Sequence, residues 1–317
     1  MPFQQHSLDL DKLINNLENQ QYQNFELILV SDSKITLHNQ PTFNVKLLVC
    51  EDLPSKKRNL AASISKGKYL SFIDDDAYPD SEWLLNASKL IEKNKYLCFG
   101  GPGLLPKDSN FFEKSVQCYF ENKLFNSFSE RYSVEKPKPV NEWPTMNFFI
   151  DRNIFLEIGK FNENFWPGED SELCIRLKLN NVDIYYDPNL IVFHRPRANL
   201  IKLSRQIFRY GLHRSYLMKQ YISFSNLIFL VPILNIMIAL FLIYLSIIIN
   251  KLFISVYIFL VLSVSLISFL RLYKKNKLYS IFNYTFSILI LTVIHFSYSV
   301  GMIKGFLTIP KKSKKNR

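Results

Sequence analysis

Tyr69-Leu70-Ser71-Phe72-Ile73-Asp74-Asp75-Asp76 is the stretch on which the fold turns. Tyr69–Ile73, apolar or aromatic except for Ser71, reads as a buried strand, and the strand runs straight into three acids. Alternate residues at a strand end face the same way, so Asp74 and Asp76 are expected to point at one ligand. Two hard carboxylates there suit Mg²⁺ or Mn²⁺ carrying a diphosphate. The competing reading is a solvated acidic turn; the apolar strand directly before the acids argues against it.

Outward from this strand the pattern alternates. Leu10, Leu13, Ile14 and Leu17 fall at helical spacing between Leu8 and Leu17. Phe25–Val30 and Val45–Val49 read as strands, Arg58–Lys66 as a helix stopped by Gly67, and Ser81 opens a helix to about Lys93. Such alternation predicts an α/β sheet of parallel character, with ligands at the carboxyl ends of the strands. Asp32 and the acidic triplet both sit at such ends. Lys107–Pro144 reads as an irregular connection rich in aromatic and charged residues. A strand is expected at Asn147–Ile150, a helix at Ser171–Leu179 after Gly168-Glu169-Asp170, and a short strand at Ile184–Tyr186.

Charge separates the chain into two parts. Up to Asp187 there are 21 Lys and Arg against 27 Asp and Glu, a net −6; beyond it there are 18 Lys and Arg and no acid, a net +18. The basic residues flank three uncharged apolar runs, Phe224–Ile249, Leu252–Leu270 and Leu278–Ile303, of 26, 19 and 26 residues. Each is long enough to cross a hydrocarbon core of about 30 Å. Lipid headgroups are therefore the expected partner of the positive charge, not nucleic acid. The positive-inside rule places Arg271–Lys277 and the basic arm Arg195–Lys219 in the cytoplasm. Three full crossings would then put the basic tail Lys311–Arg317 outside, against the same rule. Pro232 and Asn235 mark the first run as the one expected to be re-entrant or interfacial. Cys50, Cys98, Cys118 and Cys174 have neither metal-ligand spacing nor the density of a disulfide framework.

Gly168-Glu169-Asp170 reads in two ways. Acids in a first helical turn are ordinary dipole partners. Asp170 is also placed to act as a general base toward an acceptor hydroxyl, kept ionised by the helix N-terminus. The acidic triplet upstream favours the second reading.

In order along the chain, Phe25–Asp32, Lys57-Arg58-Asn59-Leu60-Ala61, Tyr69–Asp76, Ile158–Glu163, Gly168–Leu177 and Ile191-Val192-Phe193-His194 resemble the family 2 glycosyltransferases with a GT-A fold. The resemblance covers roughly Leu10 to Arg214. It implies an α/β, Rossmann-like nucleotide-sugar-binding domain over 1–215, transmembrane helices over 216–310 and a basic tail over 311–317. It also implies inverting, Mn²⁺- or Mg²⁺-dependent transfer from a nucleotide-diphosphate sugar to a glycan or polyprenyl-linked acceptor in cell-surface polysaccharide or glycoconjugate synthesis. The protein would be a multi-pass cell-membrane protein with a cytoplasmic catalytic domain. Asp32 would touch the nucleobase, and Arg58, beside Asn59, the nucleobase or phosphates. Asp74 would hold the ribose and share the metal with Asp76. Asp170 would be the base, Glu169 would position the acceptor, and His194 would be a metal or diphosphate ligand. Arg205–Tyr210 is similar to the Gln-x-x-Arg-Trp element of membrane synthases, which would bring Arg209 to the diphosphate; a basic helix on the membrane surface is the other reading. Members of the family usually begin with an apolar strand and a Pro-x-Tyr-Asn-like loop, and this chain starts after that point. The first strand of the fold is therefore expected to be missing, through a misassigned start or a truncated gene, with strand edges left unpaired. The alternative to an enzyme is a catalytically inactive membrane scaffold that keeps the fold. A transporter would need more polar residues in its apolar runs than His295.

Overall fold

The structure is a computed structural model. It describes all residues except 38–40, 94–95, 124–125, 127, 223, 276–279 and 309–317, and only the backbone at 224–225, 260, 264–265, 267–269, 271–272 and 275. The basic tail at 311–317 and the end of the basic loop at 276–277 lie outside the described residues. The described residues form two compact units, Met1–Pro106 with Glu130–Arg195, and Lys107–Ser129 with residues 196–308.

The first unit is an α/β domain. Helix α1 (Leu8–Glu18) starts at Ser7, whose hydroxyl caps the Leu10 N–H, and it buries Leu10, Leu13, Ile14 and Leu17. Strands β1 (Glu26–Ser31) and β2 (Asn44–Val49) pair in parallel. Helix α2 (Pro54–Ile64) begins with proline in its first turn, where a missing N–H loses nothing. Then come β3 (Tyr69–Ile73), β4 (Ala77–Pro79), α3 (Trp83–Glu92), β5 (Cys98–Gly100) and β6 (Gly103–Leu104).

The expectation of a parallel sheet is corrected in part. Across the sheet the order is β3, β8 (Asn147–Asp151), β5, β9 (Ile184–Tyr186), β7 (Lys138–Val140), and only β5 and β9 run parallel. Strand β8, buried at all five positions, lies antiparallel to both β3 and β5 and turns directly into α5 (Arg152–Glu157), capped by the Asp151 side chain. A third sheet sets β10 (Val192–His194) antiparallel to β4 and parallel to β6. Apolar residues from α1, β1, β3, α3, β5 and β8 share one core, in which Phe99 and Phe149 stack at 5.0 Å. Two buried polar side chains beside it are hydrogen-bonded. Asn147 accepts from the Trp83 indole at 2.9 Å and donates to the Leu190 carbonyl at 2.6 Å. Gln20 donates to Asp80 and accepts from the Leu84 N–H.

The edge of β1 is not bare at Val30. Pro2 bridges Val30 in parallel, the Phe3 N–H donates to Val30 O and the Val30 N–H to Met1 O, both at 3.0 Å. Met1 and Phe3 are buried.

Lys107–Pro144 is more ordered than its composition predicts. It contains α4 (Phe111–Phe120), opened by a reciprocal capping box between Asn110 and Glu113. Helix α4 belongs to the second unit. There it packs with α7 (Leu200–Gln220) and α10 (Ile281–Leu307) through Val116, Tyr119, Leu203, Ile207, Ile290 and Ile294. Asn283 of α10 donates to Phe111 O and Ser115 Oγ on α4, each at 3.1 Å. Lys219 at the end of α7 donates to the Gly305 and Thr308 carbonyls, satisfying the C-terminal turn of α10. Helices α7 and α10 approach so closely that a Cβ on Gly211 would lie 2.0 Å from Tyr298 O, and one on Gly301 2.0 Å from Phe208 O.

The first apolar run divides into a 3-10 segment, Phe224–Leu230, and α8 (Val231–Ile248), with Pro232 in the first turn of the helix instead of kinking its middle. Helix α9 (Leu252–Lys275) follows. Asn235 of α8 accepts from the Tyr257 hydroxyl of α9 at 2.8 Å and meets His295 of α10 at 3.1 Å. By length and composition, Asn226–Ile248 and Ile281–Leu307 are long and apolar enough to cross a membrane; the described apolar part of α9, Leu252–Ser263, is shorter.

Helix propensity alone would make Gly301→Ala stabilising by about 1 kcal/mol. The contact with the Phe208 carbonyl reverses the sign. Gly301→Ala is expected to lower the thermal midpoint of the detergent-solubilised chain, whereas Ala at an exposed helical site such as Phe296 will not move it as far.

Candidate active site

Three consecutive polar residues of α2, Lys57, Arg58 and Asn59, are buried, and each ties α2 to a different neighbour. Lys57 Nζ donates to Phe3 O at 2.7 Å and pairs with Asp32 at 2.5 Å. Asp32 is thus held at the end of β1, as expected of a residue placed there. Asn59 donates to Phe161 O and Glu163 and accepts the Phe161 N–H at 3.0 Å. These bonds give Asn59 a bracing place against the loop after α5.

Arg58 is the joint. One terminal nitrogen, Nη2, donates to Asp74 Oδ1 at 2.9 Å; the other, Nη1, donates to Glu169 Oε1 at 2.5 Å. Asp74 follows β3, and Glu169 opens α6 (Glu169–Leu179). Arg58 is 5 % exposed and Glu169 is likewise buried. Two acid groups 95 residues apart therefore meet on one guanidinium. Arg58 Nε is buried without a hydrogen-bond partner among the described residues.

Helix α6 is fastened from behind. Gly168 caps it with φ +103°, a left-handed conformation that favours glycine. Arg176 pairs with Glu172 and donates to the Ile158 and Lys160 carbonyls. Those carbonyls belong to a turn in which Gly159 and Lys160 both have positive φ. The Ile158–Phe161 and Gly168–Leu177 motifs are thus two halves of one brace.

The Asp170 carboxyl accepts the Ser171 N–H at 2.7 Å, yet its pKa is raised, first by burial and then by the nearby Glu142 carboxylate. Arg131 and Arg58 oppose this without overturning it. Glu169 is pushed up to about 7 by burial against the pull of Arg58. Glu142 is a residue that sequence reasoning missed; it accepts from the Ser171 hydroxyl at 2.5 Å and pairs with Arg131 at 3.2 Å.

On the other side of the triplet, Asp76 Oδ1 lies 3.3 Å from His194 Nε2. The antiparallel register that sets His194 opposite Ala77 brings them together. The carboxylate suits Mn²⁺ or Mg²⁺, and the imidazole beside it suits Mn²⁺ better than the harder, oxygen-preferring Mg²⁺. Among the described residues no group of three or more His, Cys, Asp or Glu could hold a metal ion, and Asp74 is turned to Arg58. The donor set therefore fits an ion whose remaining ligands come from a bound phosphate and water, not a self-sufficient metal centre. Between them, Asp75 is raised to about 6 by burial and by the Asp76 and Asp74 charges. Arg209 is exposed on α7 of the second unit.

The family model for glycosyl transferase family 2 matches residues 1–159, half of the chain. The chain belongs to glycosyl transferase family 2. Relatives of this family 2 chain include a Haemophilus influenzae protein described as an uncharacterized glycosyltransferase, 24% identical over 188 residues, 56% of this chain and 60% of that protein. The chain thus spans well under two thirds of that relative. A Methanococcus voltae relative is 24% identical over 94% of this chain and 93% of its own. It is named dolichyl N-acetyl-alpha-D-glucosaminyl phosphate 3-beta-D-2,3-diacetamido-2,3-dideoxy-beta-D-glucuronosyltransferase. Among solved structures, S. aureus TarS superposes with TM-score 0.44 at 15% identity, covering 70% of this chain and 43% of TarS. GalNAc-T7 with UDP, GalNAc and Mn2+ gives TM-score 0.47 at 15% identity, over 68% and 49%.

Two outcomes follow for the family 2 domain. Arg58→Met strands the buried Glu169 carboxylate beside the half-buried Asp74 and is expected to destabilise by about 3–5 kcal/mol in chemical denaturation, with partial recovery in Arg58→Met/Glu169→Gln. Asp75 releases its proton near 3.8 when unfolded and near 6 when folded, so the folded state binds more protons between those values. Stability in EDTA should therefore fall as pH rises through that window. Asp75→Asn should flatten the slope and add on the order of 1 kcal/mol at pH 8, read from denaturant midpoints.

Proposed function

We propose that the chain is an inverting glycosyltransferase that moves a sugar from a nucleotide-diphosphate donor to a glycan or polyprenyl-linked acceptor, in the synthesis of cell-surface polysaccharide or glycoconjugate. The observation that carries this reading is the Arg58 guanidinium shared by Asp74 and Glu169, which sets a donor-side acid and the acceptor-side helix start on one point.

In this reading Asp170 accepts the proton of the acceptor hydroxyl as its oxygen bonds to the anomeric carbon. The bond from that carbon to the nucleotide diphosphate breaks, and its electron pair leaves with the diphosphate. A single displacement of this kind inverts the anomeric centre. A base whose proton affinity is raised toward the working pH is a stronger one. Asp170 has that direction of shift. Arg58 keeps Glu169 in place, so the first turn of α6 presents Asp170 to the acceptor. Asp76 and His194 would hold Mn²⁺ or Mg²⁺ together with the donor diphosphate, and the ion would offset charge on the leaving group. Asp32, steadied by Lys57, would meet the nucleobase, and Asp74 the ribose.

The name of the Methanococcus voltae relative supports a lipid-linked acceptor. Two helices able to span a membrane, and the excess of Lys and Arg around them, support attachment to the cell membrane as a multi-pass protein with the catalytic domain on the cytoplasmic face.

The test is release of nucleotide diphosphate by the full chain in detergent, with a panel of UDP-, GDP- and dTDP-sugars, Mn²⁺ and a polyprenyl-phosphate sugar. Turnover is expected with one donor, reduced about 10²–10⁴-fold in Asp170→Asn and at least as far in Asp76→Ala. No turnover with any donor would favour the inactive scaffold instead.

A further inference from the structure

The segment Asn141-Glu142-Trp143 is laid along α6 by three contacts. Lys178 Nζ donates to Asn141 Oδ1 at 2.7 Å. The Trp143 N–H donates to Cys174 Sγ at 3.4 Å, and the Cys174 thiol donates back to Trp143 O at 3.6 Å. Held at both ends, Glu142 faces the first turn of the helix and takes the Ser171 hydroxyl at 2.5 Å. The backbone N–H of the same serine is bonded to the Asp170 carboxyl. Arg131 closes the set from the other side, donating from Nη2 to both the carboxylate and the main-chain carbonyl of Glu142 at 3.2 Å. The carboxylate of Glu142 and the guanidinium of Arg131 are 11 % and 14 % exposed, so solvent screens them weakly.

We infer that Glu142 is a positioning residue for Asp170, acting through Ser171 and balanced by Arg131, and that this pair sets where along the pH scale the base is ionised. The inference rests on Asp170 being the base. The charged and titratable groups facing Asp170 are Glu142 and Arg131, Arg58 from α2, and Glu169 and Cys174 of its own helix. Burial keeps the Cys174 thiol neutral, so it contributes hydrogen bonds and no charge. Glu142 is the largest charge favouring protonated Asp170, and Arg131 the largest opposing it. Glu142→Gln keeps an acceptor for the Ser171 hydroxyl and removes only the negative charge. Arg131→Gln removes the positive one. The two changes act in opposite directions on Asp170, which loss of packing would not do.

The test uses the full chain in detergent with ¹³C-carboxyl-labelled aspartate, the Asp170 resonance being assigned by its loss in Asp170→Asn. Glu142→Gln is expected to lower the Asp170 titration midpoint by about half a pH unit or more, Arg131→Gln to raise it by a similar amount, and Arg131→Lys to stay near the parent. Midpoints that stay put in both charge-removing variants, or move the same way, overturn the inference. If Glu142→Gln does not fold, the Arg131→Gln and Arg131→Lys pair decides alone. The acid limb of donor turnover against pH should follow the same shifts. Midpoints that move as expected while Asp170→Asn turns over donor normally would sink the base and leave the coupling. An inactive Asp170→Asn with immobile midpoints would do the reverse.

Discussion

A guanidinium taken out of water must be matched by carboxylates in good geometry, or the fold does not tolerate it. Arg58 meets that demand with one acid from the end of β3 and one from the start of α6. The arrangement constrains three elements together. Helix α2 must sit at the carboxyl end of β1 and β3, the loop after α5 must turn back at Gly159 and Lys160, and α6 must begin at Gly168. Asn59 and Arg176 hold that loop from its two sides. Removing either would loosen the point to which Glu169 is pinned.

The neighbouring acids then divide by environment. Asp74 and Glu169 are tied to a cation and Asp76 faces an imidazole, while burial raises the proton affinity of Asp75, Glu169 and Asp170. Carboxyl groups placed close together with different partners titrate apart, which is the general condition for separating acid, base and ligand roles in one cleft. In this chain the separation comes from which loop each acid follows, since the side chains are chemically alike.

Local pattern was enough for much of the fold. Helix α1, strands β1 and β3 and the start of α6 lie within a residue or two of where periodicity and capping place them, because each is specified by its own neighbours. Strand direction was not legible. Residues 147–151 read as a strand, but nothing in them says that the partner of Ile73 is Asn147. Helix α4 carried a signal in Asn110 and Glu113, yet its apolar face is matched by residues of α10 some 170 positions away, so its composition looked irregular in isolation. In the site, the acids that end strands or open helices were legible. Glu142 was not, because Asn141-Glu142-Trp143-Pro144 has no pattern of its own and gains its place only from α6. The bracing place of Asn59 was hidden for the same reason.

The second unit is built from two separated stretches of chain, and that interleaving has a practical consequence. Helix α4 comes from the middle of the sequence, while the helices that cover its apolar side come after residue 196. A shortened protein ending at residue 195, made to obtain a soluble fragment, would keep α4 and lose α7 and α10. Val116 and Tyr119 would then face solvent, and the fragment would be prone to self-association for reasons unrelated to its catalytic half. Excising residues 107–129 as well would remove that sticky surface.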